Sequence, residues 1–151
     1  MPTRSIHTQF GQLSVIETDG AVTRLTWNLP DDGPSTPLLE EALAQLQAYD
    51  EGRLEQFDLP LHVNGTPFQQ AVCDAMYAIP FGYTRTYGEI AKDLGHPAQA
   101  VGQACGANPI AVIIPCHRVM GAKGLTGFSA PGGVETKVAL LRHERAGGYL
   151  I

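Results

Sequence analysis

The residue best suited to chemistry in this sequence is Cys116, which is followed directly by His117 and Arg118. A cysteine reacts as its thiolate, so a reactive cysteine needs a basic or electropositive neighbourhood, which the His-Arg pair supplies. The alternative is a buried structural cysteine that happens to precede two surface residues. That alternative suits Cys73 and Cys105, because both lie in apolar, helical stretches. The Pro-Cys-His-Arg-Val string instead favours a nucleophile at Cys116.

The size and charge of the chain narrow the classes of function that it can have. It has 151 residues, of which 44% are hydrophobic, enough for one domain, or one small domain with an appendage, around a real core. The net charge of −5 argues against indiscriminate binding to polyanions, which depends on basic charge. However, residues 1–63 contain three basic and ten acidic side chains, whereas residues 64–151 contain seven basic and five acidic ones. The charge of the second part therefore does not exclude a polyanionic partner, and it predicts weak, salt-sensitive binding.

Several classes of protein are disfavoured by the pattern. No apolar stretch approaches the ~20 residues that span a bilayer, and no basic region followed by an apolar run marks a signal peptide. The three cysteines are an odd number without a C-x-x-C pair, which argues against a disulfide framework or a zinc finger. We therefore expect a cytoplasmic protein with free thiols, no metal, no cofactor and no membrane contact.

The first part of the chain has the pattern of a small α/β unit. Asp19-Gly20 is a hairpin signal, because glycine tolerates positive φ. Thr36-Pro37 predicts the start of a helix that Gly52 ends, and residues 58–63 are a further candidate extended segment. Apolar and polar residues alternate as in strands over three segments: 6–10, 13–17 and 22–27.

The rest of the chain has a mainly helical pattern. Thr66-Pro67-Phe68-Gln69 matches a capping box for a helix that must end near Pro80, and Thr86-Tyr87-Gly88-Glu89 matches a second capping box. The helix after the second box ends at Gly95 and is followed by a run of small residues over 98–106. Two short helices joined by a tight turn fit a helix-turn-helix, although most such pairs merely pack together.

The candidate nucleophile lies between an apolar run and a glycine-rich loop. Residues 110–114 are continuously apolar and predict a buried strand or extended segment that leads to Cys116. The loop covers 121–133. Residues 134–145 then have the spacing of an amphipathic helix, with an apolar face of Val138, Leu140 and Leu141.

Taken together, these strings closely resemble the O6-alkylguanine-DNA alkyltransferases, also called methylated-DNA–protein-cysteine methyltransferases. The resemblance covers residues 65 to about 144, more than half of the chain. The active-site pentapeptide, with an Asn-Pro upstream of the apolar run, is its most specific part. The pieces occur in order: Gly65-Thr66-Pro67-Phe68-Gln69, Ile79-Pro80-Phe81-Gly82, Thr86-Tyr87-Gly88-Glu89-Ile90-Ala91, Ala100-Val101-Gly102, Gly106-Ala107-Asn108-Pro109, Pro115-Cys116-His117-Arg118-Val119 and Leu125-Thr126-Gly127-Phe128.

The resemblance implies an α/β (α+β) fold in two parts. A small N-terminal antiparallel three-stranded sheet with a helix, residues 1–63, would support a C-terminal domain, residues 64–151. That second domain would be mainly helical and contain a winged helix-turn-helix that binds DNA. The N-terminal part varies freely among such proteins, so we expect its role to be structural.

The resemblance also implies a reaction. Family members flip an O6-alkylated guanine out of double-stranded DNA, since a thiol cannot reach O6 inside the duplex, and transfer the alkyl group irreversibly to their own cysteine. By similarity Cys116 is the acceptor, and His117 is a base that acts through a water and is oriented by Glu144. Asn108 would hold the turn before the cysteine, and Tyr87 would donate to the departing guanine. The expected partner of the monomer is DNA with O6-alkylguanine, and O4-alkylthymine is a further candidate.

Other residues are expected at the DNA or the flipped base. Val119 and Ser129 would contact the base through their backbones, Arg118 would brace the site and Lys137 would assist the loop. The full set implied by the resemblance is Thr86, Gln99, Ala100, Gly102, Arg118, Val119, Phe128, Ser129 and Lys137.

This chain departs from the family pattern at three positions. The family usually carries an Arg directly before Ala-Val-Gly, where it fills the space left by the extruded base, whereas this chain has Gln99. Glutamine is shorter and uncharged, so we expect it to fill the gap less well. Cys73 stands where a Trp is frequent, and Phe128 where a Tyr is frequent, and we expect mild effects on packing from both.

Two other functions stay open. A lesion-binding relative with weak or no transfer is one, because of Gln99, but such relatives usually lack the acceptor cysteine that is present here. A different cysteine enzyme, such as a thiol hydrolase, would need an oxyanion site and a distant histidine partner. Nothing beyond Cys116 and His117 suggests these.

Overall fold

The computed structural model describes residues 1–121 and 131–146, which form a mixed α/β fold. The described part divides into two compact units. The first contains Met1–Val63 and Pro109–Ile113, and the second contains Asn64–Asn108 and the described residues from Ile114 onward. No helix in these two described ranges is long and apolar enough to span a membrane.

The first unit contains a three-stranded antiparallel sheet and one helix, as predicted. The hairpin between the last two strands turns at Asp19 and Gly20, which both have positive φ. The helix begins after the N-cap Thr36, whose side chain accepts a hydrogen bond from the Leu39 amide. The candidate segment 58–63 forms no strand and contributes one parallel bridge, from Leu61 to Val22. The elements are β1 (Thr3–Thr8), β2 (Gly11–Thr18), β3 (Ala21–Trp27) and α1 (Pro37–Asp50).

The second unit contains four helices, two very short strands and one 3₁₀ turn among its described residues. In order, they are α2 (Pro67–Tyr77), β4 (Arg85–Thr86), α3 (Tyr87–Leu94), α4 (Ala98–Gly106), the 3₁₀ turn (Cys116–Arg118), β5 (Val119–Met120) and α5 (Val134–His143). Helices α3 and α4 form the predicted helix-turn-helix pair, with Gly95 in the left-handed conformation between them. The family's wing is not assigned, because residues 122–130 lie outside the described residues.

Two N-caps predicted for the second unit are present, but only one is a complete capping box. Thr86 accepts from the Glu89 amide, and the Glu89 carboxylate accepts from the Thr86 amide in return. Thr66 accepts from the Gln69 amide. The Gln69 side chain instead donates to the Ala104 carbonyl at 3.0 Å, which ties α2 to α4.

The apolar run 110–114 is buried as expected except for the partly exposed Ala111, but the prediction of a strand was wrong. Ile110 forms one bridge to Leu25, and residues 111–113 then turn. Val112 has a φ of 70°, a conformation that is costly for a β-branched residue. A continuous apolar run signals burial without a period, so it does not distinguish a strand from a buried turn.

The last helix is shorter than predicted and buries a different face. Helix α5 ends at His143 rather than at residue 145. Leu140 and Leu141 are buried as predicted, but Val138 is only partly buried and Lys137 takes a place in the core.

Candidate active site

Cys116 begins the 3₁₀ turn of residues Cys116–Arg118 and is partly exposed, whereas Cys73 and Cys105 are buried. The segment that leads to it is held by Asn108, whose side-chain amide donates to the Ile114 carbonyl at 2.8 Å. Among the described cysteines, Cys116 is thus the one residue that is partly exposed.

The side chain of His117 is completely buried beside two charged residues. Its Nε2 lies 2.7 Å from Glu144 Oε2. Arg118 donates through Nε to Glu144 Oε1 at 2.7 Å and through Nη2 to Oε2 at 3.1 Å. A planar guanidinium that engages both oxygens of one carboxylate fixes the orientation of both groups. His117, Arg118 and Glu144 thus form one hydrogen-bonded cluster, which we call the buried triad.

Arg118 also anchors the triad to the turn after α2. Its Nη1 donates to the Ile79 carbonyl at 2.6 Å, and its guanidinium carbon lies 5.8 Å from the centre of the Phe81 ring. A Cβ added to Gly82, which has a φ of 88°, would meet the Glu144 carbonyl at 3.6 Å. The Ile-Pro-Phe-Gly string therefore supports the triad, a role that the sequence did not indicate.

The pKa values in the triad fix the tautomer of the histidine. Burial opposes the charge of Glu144, but the hydrogen bonds from His117 and Arg118 and the positive charge of Arg118 hold its pKa down at about 2. Burial also lowers the pKa of His117, so this imidazole is neutral at neutral pH. An ionised carboxylate can only accept hydrogen bonds. The Nε2 atom of His117 must therefore carry the proton that it donates to Glu144, and Nδ1 has a free lone pair. Among the described residues no group forms a hydrogen bond with Nδ1 of His117, so this nitrogen is the one that can accept a proton.

Burial and nearby polar groups have opposite effects on the pKa of the Cys116 thiol. Burial raises its pKa, while a hydrogen bond from Asn108 and the positive charge of Lys137 act to lower it. Burial prevails at all three thiols: it raises the pKa of Cys116, and it raises the pKa to about 11 at Cys73 and to about 12 at Cys105. The surroundings of Cys116 thus contain groups that favour its thiolate.

Acidification is expected to destabilise the protein through the buried triad. Folding lowers the pKa of His117 from 6.5 and that of Glu144 from 4.5 to about 2, so the unfolded chain binds protons more readily. The stability from these pKa shifts is present above pH 6.5. It is lost through His117 below that pH and through Glu144 between pH 4.5 and about 2. Urea unfolding at about pH 8, 6 and 4 should give falling free energies, and a constant value would contradict this prediction.

A short parallel ladder brings the start of α3 beside the residues that follow the turn of Cys116. Arg85 pairs with Val119, and Thr86 pairs with Met120. Tyr87, the first residue of α3, follows this ladder directly and is partly exposed. Thr86 and Tyr87 are thereby brought close to Val119, which is more than 30 residues away in the sequence.

Helix α4 presents small and neutral residues. Gln99 is exposed, and Ala100 and Gly102 are partly exposed. An added Cβ at Gly102 would meet nothing within 4 Å, so no neighbour in the protein requires a glycine there. The helix contains no basic residue, and the nearby Arg85 is paired with Asp93 at 2.7 Å.

Lys137 is the site residue whose surroundings were least expected. It is only 1% exposed, and its ammonium donates to the Val119 carbonyl at 2.7 Å. No sequence pattern predicted this burial, since lysine is almost never fully buried. Phe128 and Ser129 lie outside the described residues. In residues 1–121 and 131–146 no group of three His, Cys, Asp or Glu side chains is placed to hold a metal ion.

Comparison with known proteins identifies the family. Residues 67–146 match the model of the DNA-binding domain of 6-O-methylguanine DNA methyltransferase. A methylated-DNA–protein-cysteine methyltransferase of Mycobacterium tuberculosis is 47% identical over 89% of this chain and 79% of its own length. One of Methanosarcina acetivorans is 52% identical over 69% of this chain and 67% of its own.

The fold agrees with this assignment. The crystal structure of the M. tuberculosis O6-methylguanine methyltransferase matches this fold with a TM-score of 0.85. The match covers 95% of this chain and 92% of that chain, with 42% sequence identity. A crystal structure of M. tuberculosis OGT in complex with DNA has the same TM-score, and the match covers 98% of this chain and 96% of that one. The chain therefore belongs to the 6-O-methylguanine DNA methyltransferase family.

Proposed function

We propose that this protein repairs DNA by flipping O6-alkylguanine out of the duplex and transferring the alkyl group irreversibly to Cys116. The observation that carries the proposal is a partly exposed cysteine that directly precedes the buried, hydrogen-bonded His117–Glu144 pair, in a chain that belongs to this family. Such a protein acts once, because the acceptor is consumed.

The mechanism begins with activation of the thiol. Nδ1 of His117 accepts the proton of Cys116 through a water, and the ionised Glu144 stabilises the imidazolium that results. Arg118 keeps Glu144 ionised and in place through its two hydrogen bonds. Asn108 and the 3₁₀ turn position the sulfur.

The thiolate then attacks the alkyl carbon in line with its bond to O6. The sulfur–carbon bond forms as the carbon–O6 bond breaks, and the electron pair of that bond goes to the guanine. Tyr87, at the start of α3, donates a proton to the departing guanine. The thiol proton held by His117 then restores the tyrosine, so no co-reactant is needed.

The DNA is bound by the helix-turn-helix. Thr86, Gln99, Ala100 and Gly102 contact it, and small residues on α4 permit close approach of the duplex. The backbone of Val119 contacts the flipped base, and the family resemblance assigns the same role to Ser129. A structure of an M. tuberculosis relative in complex with DNA supports this assignment.

We assign separate roles to the two parts of the chain. Residues 1–63 form a supporting domain, and residues 64–151 form the domain that binds DNA and accepts the alkyl group. We place the protein in the cytoplasm, because the reaction requires a reduced cysteine and reducing compartments keep thiols free.

The decisive experiment is mass spectrometry after incubation with a duplex oligonucleotide that contains O6-methylguanine. A stoichiometric gain of one methyl group on the peptide that contains Cys116 supports the proposal. An unmodified peptide, together with tight binding to the oligonucleotide, would favour the alternative of a lesion-binding protein.

Substitution of Gln99 by Arg is expected to speed transfer from duplex DNA more than transfer from a free modified base. Only the duplex must be held open, and an arginine fills the gap in the stack better and attracts phosphates. Single-turnover rates on both substrates measure the difference, with the neighbouring exposed Gln103→Arg as the control for charge. Equal rates for the unsubstituted and Gln99→Arg proteins on duplex DNA would show that Gln99 already fills the gap.

A further inference from the structure

Residues 109–113, which lead toward Cys116, belong by their contacts to the first unit rather than to the second. The chain leaves the second unit after Asn108 and returns to it at Ile114. These two residues are joined to each other, because the Asn108 side-chain amide donates to the Ile114 carbonyl at 2.8 Å. Residues 109–113 therefore form a loop whose two ends are tied together, which we call the closed loop.

Strand β3 holds the closed loop at its beginning. The Leu25 amide donates to the Pro109 carbonyl at 2.9 Å, and Leu25 pairs with Ile110 in a parallel bridge. Ile110, Val112 and Ile113 are each no more than 3% exposed. Since both backbone pairing and burial hold the closed loop, its path is fixed before the chain leaves the first unit.

Val112 reverses the chain within the closed loop in a conformation that valine rarely adopts. The Ile113 amide donates to the Ala111 carbonyl at 2.8 Å, and Val112 between them has a φ of 70°. A hydrogen bond between residues two apart, around a residue with this φ, is the pattern of the rare and strained kind of γ-turn. The positive φ is costly for a β-branched residue, so pairing with β3 and burial of the valine must offset that cost.

A second tight turn carries the chain from the closed loop to the acceptor. The Cys116 amide donates to the Ile114 carbonyl at 2.8 Å around Pro115, whose φ of −82° and ψ of 70° are those of an inverse γ-turn. The same carbonyl accepts from the side chain of Asn108. Cys116 thus lies two residues beyond the point at which the loop closes, with a turn of fixed geometry between them.

We infer that Val112 is a positioning residue for the alkyl transfer: its left-handed backbone, held in place by β3, sets the path of the chain that presents Cys116. This inference rests on the proposed function and adds to it a role for the first unit. The sulfur must lie in line with the carbon–O6 bond, and a misplacement of about 1 Å can slow such a reaction by about 10²-fold. Val112 therefore acts on the alignment of the thiol and not on its chemistry.

Substitution of Val112 by Gly tests the inference, because glycine adopts positive φ without strain and leaves the turn free to take other conformations. The maximal single-turnover rate of transfer from O6-methylguanine DNA should fall by about tenfold, whereas the dissociation constant for that DNA should not change. The rate of Cys116 alkylation by iodoacetamide, and its pH midpoint, should also stay unchanged, since a small reagent needs no fixed alignment. Peptide mapping by mass spectrometry separates Cys116 from the other two cysteines.

The matched control is Val15→Ala, at a fully buried valine of β2. It should lower the free energy of unfolding and leave the maximal transfer rate unchanged, because it does not alter the path of the closed loop. An unchanged maximal rate in Val112→Gly, an equal fall in Val15→Ala, or an equal fall in the iodoacetamide rate of Val112→Gly would overturn the inference and leave the proposed function standing. Absence of transfer in the unsubstituted protein would overturn both.

The order of stability of two variants tests the strain itself. Val112→Gly should be at least as stable as Val112→Ala, the reverse of the usual order, because glycine alone is free of strain at positive φ. Urea unfolding measures the order. A Val112→Gly protein that is less stable than Val112→Ala, or that fails to fold while Val112→Ala folds, would contradict the inference.

Amide hydrogen exchange in the unsubstituted protein decides the question if neither variant folds. The Ile113 amide should exchange as slowly as the Leu25 amide, because both hold the closed loop. Exchange of the Ile113 amide at the rate of an unstructured peptide would show that the turn is not held, and would overturn the inference.

Discussion

The Cys116→Ser protein is expected to take up no methyl group from O6-methylguanine DNA while it still binds that DNA. A serine hydroxyl is a far weaker nucleophile than a thiolate, and neither His117 nor Lys137 can ionise it near neutral pH. The side chain is partly exposed and the two residues differ by one atom, so folding should change by no more than about 0.5 kcal/mol. Mass spectrometry measures the transfer, and a fluorescence-anisotropy titration measures the binding.

The matched control for this prediction is Cys73→Ala, at a buried cysteine whose pKa burial raises to about 11. It should retain one methyl group per chain even if it is less stable. Transfer that persists in Cys116→Ser, with the methyl group on Cys73 or Cys105, would show that the acceptor has been misassigned.

Glu144→Gln is expected to lower both the stability and the transfer rate. The substitution leaves the buried guanidinium of Arg118 without its carboxylate, and breaking a buried ion pair costs about 3–5 kcal/mol. A neutral amide also no longer favours the imidazolium of His117, so transfer should slow by roughly 10²-fold or more, as for the loss of a general base. Urea unfolding measures the stability, and single-turnover transfer from methylated DNA measures the rate.

A double-mutant cycle with Arg118→Met separates the two contributions. Stability should recover in part in the double variant, because the unpaired charge is gone, whereas the transfer rate should not. Glu135→Gln, an exposed position on α5, serves as the control and should change neither quantity. A Glu144→Gln protein with normal stability and normal transfer would contradict the assigned role of the buried triad.

Local signals in the sequence predicted the elements that obey local rules. Thr36, Thr66 and Thr86 each cap a helix where predicted, since a cap depends on hydrogen bonds within one turn. The Asp19-Gly20 hairpin is present for the same reason, because its turn requires positive φ at adjacent residues. The pentapeptide around Cys116 also identified the family, which the comparisons confirm.

The sequence predicted the structure less well in segments whose conformation depends on contacts with residues far away in the chain. The apolar run 110–114 was correctly predicted to be largely buried, yet it turns at Val112 instead of forming a strand. The spacing of α5 was correct, but Lys137 rather than Val138 joins its buried face. Hydrophobic pattern predicts how much of a segment is buried, and it does not specify the partner against which that segment packs.

By itself the sequence predicted Cys116 as the nucleophile, with His117 beside it, and the helices of the second unit, because these predictions use residue type, short-range spacing and family motifs. Only the tertiary structure decided that Arg118 engages both oxygens of Glu144 and that the ammonium of Lys137 is buried under Val119. These contacts join residues 18 to 26 positions apart, and no local periodicity encodes them. The electrostatic environment of the thiol is therefore a property of the folded chain.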